Sequence, residues 1–421
     1  MPTETAEAQA DEGSDAAAAL DSGDTAWMLT SSALVMLMLP GLALFYAGMV
    51  RRKNVLSSMI HSFAALGVIG ALWAVVGYSL AFGSTLGGFI GNPLDKIFLL
   101  SVDYKDLAPD SAYPELVFMA FQGMFAIITP ALISGAIAER VKFGVYIWFI
   151  ALWSLLVYCP LAHWVWGGGW LASLDTSPLD FAGGTVVHLS SGISALIVVL
   201  IIGTRRGWPS GEMLPHNLTL TLLGAGLLWF GWFGFNAGSA VAANADAGLA
   251  FTTTQIAAAC GALGWLIIER IHTGRASALG AASGIVAGLV GITPAAAYVE
   301  PWAAMIIGFG AGLICYGGVL LKGRLKYDDS LDVMGIHGVG GAWGAIATGI
   351  FATVGAVGLI SGNFDQFLAQ IIGVLAAAAY AAVITFIIVK VLDAIIGFRV
   401  EEEQEQIGLD QVEHGEAGYN F

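Results

Sequence analysis

The chain has 421 residues, 57% hydrophobic and only 11% charged, with a mean hydropathy of +0.79 and a formal net charge of −15. A soluble domain carries about 25% charged residues, so this composition excludes a water-soluble enzyme. So acidic a chain also lacks the basic footprint of a nucleic-acid binder.

The charges are clustered. Between them lie eleven windows without Asp, Glu, Lys or Arg: 25–50, 54–94, 116–138, 143–174, 181–204, 213–245, 247–268, 276–299, 301–321, 333–364 and 366–389. Each can supply the roughly 20 residues that cross a hydrocarbon core. At that depth backbone groups are satisfied only in helices or closed barrels. The windows are too uniformly apolar for alternating barrel strands. The fold class is therefore an all-α polytopic membrane protein with about eleven transmembrane helices in a lipid bilayer. Fourteen of the sixteen Lys and Arg fall on one side: Arg51, Arg52, Lys53, Arg140, Lys142, Arg205, Arg206, Arg270, Arg275, Lys322, Arg324, Lys326, Lys390 and Arg399. Only Lys96 and Lys105 lie opposite. The positive-inside rule puts the N-terminus outside and the C-terminus in the cytosol.

Residues 1–24 hold seven acids and no base. Without an apolar h-region they read as an uncleaved, disordered extracellular tail. Residues 25–392 form the membrane domain, and 393–421 a cytosolic tail running from Gly397-Phe398-Arg399-Val400 into Glu401–Gln406. Cys159, Cys260 and Cys315 are dispersed among spans, which indicates neither a disulfide framework nor a metal site. No cofactor is expected.

Span one carries Phe45-Tyr46-Ala47-Gly48 and span three Phe121-Gln122-Gly123-Met124-Phe125. The outer end of span four reads His163-Trp164-Val165-Trp166-Gly167-Gly168-Gly169-Trp170. Interfacial tryptophans are ordinary belt anchors, but three glycines after Trp166 let the backbone turn an indole face toward an outer vestibule. Such a face attracts a small cation. Asp180 opens span five, where its carboxylate caps the helix and favours nearby positive charge. Ser239, at the outer end of span six, adds a hydroxyl acceptor.

His188 in span five and His337 in span ten lie within the hydrocarbon region, approached from opposite faces. Ionisable groups there usually face a cavity or substrate path; the plain alternative is two packing histidines bonded to carbonyls. The other histidines, at 61, 163, 216, 272 and 414, fall at span ends, in loops or in the tail, where packing suffices. Phe45-Tyr46-Ala47-Gly48 and Phe235-Asn236-Ala237-Gly238 are five spans apart, as are the two histidines. An odd offset means that the copies enter from opposite sides, which is the signature of inverted repeats with a site between them. The expected architecture is two inverted five-helix repeats plus a C-terminal helix.

The stretches PGLALFYAGMVRRKN (40–54), FQGMFAIITPALISGAIAER (121–140), HWVWGGGW (163–170), DFAGGTVVH (180–188), WFGFNAGSA (232–240) and DVMGIHGVGGAWG (332–344) resemble the Amt/Mep/Rh ammonium transporter family. The resemblance covers residues 25–421, including the GFRVEEEQE tail. Trp166 points to the Amt/Mep branch, since the Rh vestibule lacks that indole. By resemblance, Phe121, Trp166 and Ser239 match an outer recruitment site for ammonium, with Asp180 as a nearby acid. Phe125 and Phe235 match a stacked pair closing the entrance, and His188 and His337 the twin histidines of the pore. Phe45, Tyr46 and Trp232 match residues flanking it. The resemblance also implies a homotrimer in the cell membrane, with a cytosolic PII-type signalling protein as partner. Two features depart from the family pattern: a longer run at Leu171–Leu179, and the acidic N-terminal tail.

The implied chemistry follows from what separates ammonium from potassium. The two ions share charge and approximate size, but only ammonium can lose a proton. Desolvation disfavours a charged amine, so an apolar pore with neutral imidazoles passes ammonia and rejects potassium. The proton either returns outward or crosses by a histidine relay. Another reading is an ammonium sensor signalling through a cytosolic partner, although the tail has no room for a signalling domain. An enzyme is not expected, because no nucleophile–base pair or metal cluster accompanies the histidines.

Overall fold

The computed structural model describes residues 20–211 and 213–419. Most of the acidic N-terminal stretch lies outside the described residues. The chain enters its first helix at Ser22, where the Asp21 carboxylate accepts from the Asp24 amide at 2.8 Å.

Apolar side chains and self-satisfied backbone make each window a helix. In chain order these are α1 (Ser22–Met49), α2 (Arg52–Phe82), α3 (Glu115–Ile137), α4 (Phe143–Val165), α5 (Gly184–Ile202), α6 (Leu218–Gly238), α7 (Ala245–Thr273), α8 (Ala278–Ile292), α9 (Pro301–Leu325), α10 (334–351) and α11 (Phe364–Ile395). Among the described residues nine are long and apolar enough to cross a membrane. The shorter α8 and α10 fall in the two remaining windows. Between α2 and α3 the chain forms a small antiparallel hairpin, β1 (Thr85–Leu86) and β2 (Ile90–Gly91).

Helices associate in lipid through small residues that let backbones approach. α1 crosses α6 on glycines, Gly41 facing Gly224 and Leu228 while Gly48 faces Thr221 and Asn217. At the other end the Trp27 indole N–H donates to the Ala237 carbonyl at 3.2 Å. Rising numbers in α1 therefore meet falling numbers in α6. α5 and α10 behave alike: Gly192 lies on Gly338, and Gly341 lies on Gly184 and Leu189. Both repeat-related pairs run antiparallel, as inverted repeats require.

The face rich in Lys and Arg is tied together by buried ion pairs. Arg140 pairs with Asp328 at 2.6 Å, and Arg205 bridges Asp328 at 2.8 Å and Glu139 at 3.1 Å. Arg51 adds a contact to Glu139 at 2.8 Å. Burial alone pushes the Glu139 carboxyl up, but the Arg205 and Arg51 guanidiniums outweigh it and hold it below the usual range. Four connections, α1–α2, α3–α4, α5–α6 and α9–α10, meet at this cluster.

The tail folds back onto the same face. Phe398 is fully buried, and the Val400 amide donates to the Arg140 carbonyl at 3.0 Å. Two short helices follow, α12 (Glu402–Ile407) and α13 (Leu409–His414). Asp410 accepts from the Ser57 amide at 2.8 Å, near the start of α2, and Glu413 accepts from the Phe143 amide at 2.9 Å, at the start of α4. Tail carboxylates thus supply acceptors that helix N-termini lack internally.

Candidate functional site

Each of the two inner histidines sits on a π-helical turn, His188 on Gly184–Leu189 and His337 on Met334–Gly338. Such turns occur mostly as local interruptions of α-helices, frequently at functional sites. The outer turn starts from Gly183, whose φ of +110° requires glycine. The four orphan amides there converge on Asp180. Its carboxylate accepts from Gly183 at 2.9 Å, Gly184 at 2.5 Å, Thr185 at 2.8 Å and Val186 at 3.1 Å. The acid thus orients the turn that carries His188, while its own carbonyl accepts the Trp166 indole N–H at 2.8 Å.

The close crossing at Gly192 and Gly338 brings the imidazoles together. Their Nδ1 atoms are 3.2 Å apart, with ring centroids at 5.3 Å. One ring donates and the other accepts, so for neutral rings the two Nε2 atoms are one acceptor and one donor. The buried His188 Nε2 has no protein partner. Trp232 stacks on His188 at 5.3 Å and is held by its indole N–H, which donates to Thr293 Oγ1 at 2.9 Å.

Both histidines line a cavity whose wall is otherwise apolar or aromatic, including Phe45, Leu42, Trp232 and Phe235. It leaves about 10 Å³ for the centre of a water-sized molecule, close to the minimum for one water. A second, outer cavity of about 350 Å³ is lined by Trp166, Ser239, Phe125, Phe82, Phe118, Gln122 and Phe181. Phe125 and Phe235 stand between the two, stacked at 4.2 Å and 28°. Rings continue outward from Phe125 to Trp166 at 6.3 Å and inward from Phe235 to His188 at 6.0 Å. Ser239 Oγ donates to the Phe235 carbonyl at 2.8 Å, which leaves its lone pairs to the outer cavity.

Not every expected residue reaches a cavity. Phe121 is fully buried behind Phe125, edge-on at 5.0 Å, and does not form part of the outer cavity's wall. Tyr46 is not part of the inner cavity's wall and packs on α3, its hydroxyl donating to the Leu132 carbonyl at 2.9 Å and its ring filling the space beside Gly135. The Asp180 carboxylate is spent on backbone amides and the Thr185 hydroxyl. Phe82, Phe118, Gln122 and Phe181 were not singled out, because an apolar helix does not reveal which side faces a cavity. Thr293 follows a run of glycines and apolar residues in α8 and gave no signal. Of the other histidines, His163 lies between the Ala81 carbonyl and the Thr85 hydroxyl, and His216 between the Val50 carbonyl and the Tyr419 hydroxyl.

The family model described as the Ammonium Transporter Family matches residues 26–419. The ammonium transporter of Aquifex aeolicus is 49% identical over 409 residues, covering 96% of this chain and 95% of that protein. That of Mycobacterium tuberculosis is 47% identical over 434 residues, covering 95% and 91%. The crystal structure of Saccharomyces cerevisiae Mep2 superposes with a TM-score of 0.85 at 39% identity, covering 91% of this chain and 90% of Mep2. A structure described as a sensor Amt protein gives 0.86 at 30% identity, covering 93% and 98%. With a match across nearly its whole length, the chain is a multi-pass membrane protein and belongs to the ammonium transporter family.

Proposed function

We propose that this protein carries ammonium across the cell membrane. Ammonium is recruited in the outer cavity against Trp166 and Ser239 and gives up its proton on passing the stacked Phe125 and Phe235, either to water of the outer cavity or to the relay of His188 and His337. Ammonia then passes along His188 and His337. The observation that carries this reading is the unbroken file of rings from Trp166 to His337, ending in a cavity too narrow for a hydrated ion. A bare cation there would lose its hydration with nothing to replace it, which is prohibitive in an apolar medium. Ammonia escapes that penalty, and it both donates and accepts hydrogen bonds, matching the paired Nε2 atoms. The Nδ1–Nδ1 hydrogen bond, at 3.2 Å, supports proton transfer between the rings. Asp180 acts by fixing the His188 turn and the Trp166 indole, while Phe121 and Tyr46 back the file from a second layer. The likeness to a sensor Amt protein favours one alternative, an ammonium sensor that conducts little; ammonium flux into liposomes separates the two.

Replacing Trp166 by Leu is expected to raise the half-saturating ammonium concentration more than it lowers maximal flux. The lost cation–π contact is worth about 0.5–2 kcal/mol. Unchanged concentration dependence would remove Trp166 from the recruitment site.

On the same reading, residues 25–392 are the transport domain of a homotrimer, 1–24 an outer tail, and 393–421 a regulatory tail. A PII-type signalling protein docks on the tail and the basic connections. Truncation after Val400 keeps the buried Phe398 and removes α12 and α13. It is expected to leave the spans folded and to abolish binding of a purified PII-type protein. Binding at full strength by the truncated chain would exclude the tail from docking.

A further inference from the structure

The two π-turns are held by the same device. Asp180 lies eight residues before His188, and Asp329 lies eight residues before His337. The Asp329 Oδ2 accepts from the Met334 amide, the first residue of the inner π-turn, at 2.7 Å. We propose that Asp329 is a positioning residue for His337, the counterpart on the opposite face of Asp180 and His188.

Ion pairing does not account for this side chain. Its neighbour Asp328 takes the arginines. Lys322 reaches the Asp329 backbone carbonyl, not its carboxylate, at 3.0 Å, and pairs with Asp332. Asp329 is 1% exposed, and its second oxygen, Oδ1, is buried without a partner. A buried carboxylate with an unpartnered oxygen is costly, and the backbone amides that it accepts from, Met334 and Val333, open the turn carrying His337. That ring's hydrogen bond among the described residues is the 3.2 Å approach to His188. A displacement of an ångström would break it, and misplacement on that scale can cost about 100-fold in rate.

The inference rests on the twin-histidine reading above, and two measurements on the full-length protein in liposomes keep the two apart. Solid-state NMR with ¹⁵N-histidine reads the coupling between the Nδ1 atoms without transport, and ammonium flux against concentration reads the pore. Asp329→Ala is expected to lose the coupling and to lower maximal flux about tenfold or more, with the half-saturating concentration unchanged because the outer cavity is untouched. Asp329→Asn, whose amide oxygen can still accept the Met334 N–H, should keep the coupling and most of the flux. If the Ala variant does not assemble, Asp329→Glu decides, since a longer carboxylate displaces the cap and should lose the coupling. Coupling intact in Ala or Glu, wild-type maximal flux in Ala, or Asn as impaired as Ala would overturn the positioning role. Absence of ammonium flux from the wild type would instead sink the underlying transport reading.

Discussion

Replacing His188 or His337 by Glu is expected to admit potassium. In the inner cavity nothing compensates a permanent charge: the wall is aromatic and aliphatic, and the two imidazoles spend their Nδ1 atoms on each other. A carboxylate at either position changes that balance. Burial disfavours its ionised form, but a passing monovalent cation favours it. A cation could then be stabilised where an unpaired one is prohibitive. Alanine should behave differently, reducing ammonium flux or proton coupling without admitting potassium. Potassium and ammonium currents compared in liposomes for each variant check both outcomes. Glu variants that remain potassium-tight would move selection outward to Phe125 and Phe235.

The largest expected loss of stability comes from Asp328→Ala. Asp328 accepts from Arg140 Nη1 at 2.6 Å and from Arg205 Nη2 at 2.8 Å, and both guanidiniums are almost wholly buried. Removing the acid leaves Arg140 without a carboxylate and Arg205 with Glu139 alone, inside the protein. Breaking a buried pair in this way costs about 3–5 kcal/mol. The cluster joins four connections, so the loss should lower the unfolding midpoint of the whole membrane domain. Denaturant unfolding in detergent measures it, and a change within about 1 kcal/mol would show that the arginines find other acceptors.

The spans were readable because charge is expensive at membrane depth, so charged residues mark their ends. The paired histidines were readable for the same reason, and the five-span offset anticipated the antiparallel meeting of α1 with α6 and of α5 with α10. What the sequence hid is azimuth. A helix apolar on every face has no stripe to show which side meets its neighbours. Hence Phe45 lines the pore cavity while the adjacent Tyr46 turns to α3, and Phe121 lies behind Phe125 in spite of a shared helix. Gln122, one residue along, reaches the outer cavity instead. The π-turns were equally hidden, since the carboxylates that accept from their amides lie several residues away. The equal spacing of Asp180 and Asp329 from their histidines is visible in the chain, but it acquires meaning only once both turns are seen.

On the proposed reading, ammonium passes because it can become neutral, and potassium fails because it cannot. The direct measurement is the response of wild-type protein in liposomes to matched pulses of ammonium and potassium, with current and internal pH recorded together. Ammonium uptake with no potassium current is the expected result. Potassium carried as readily as ammonium would contradict it.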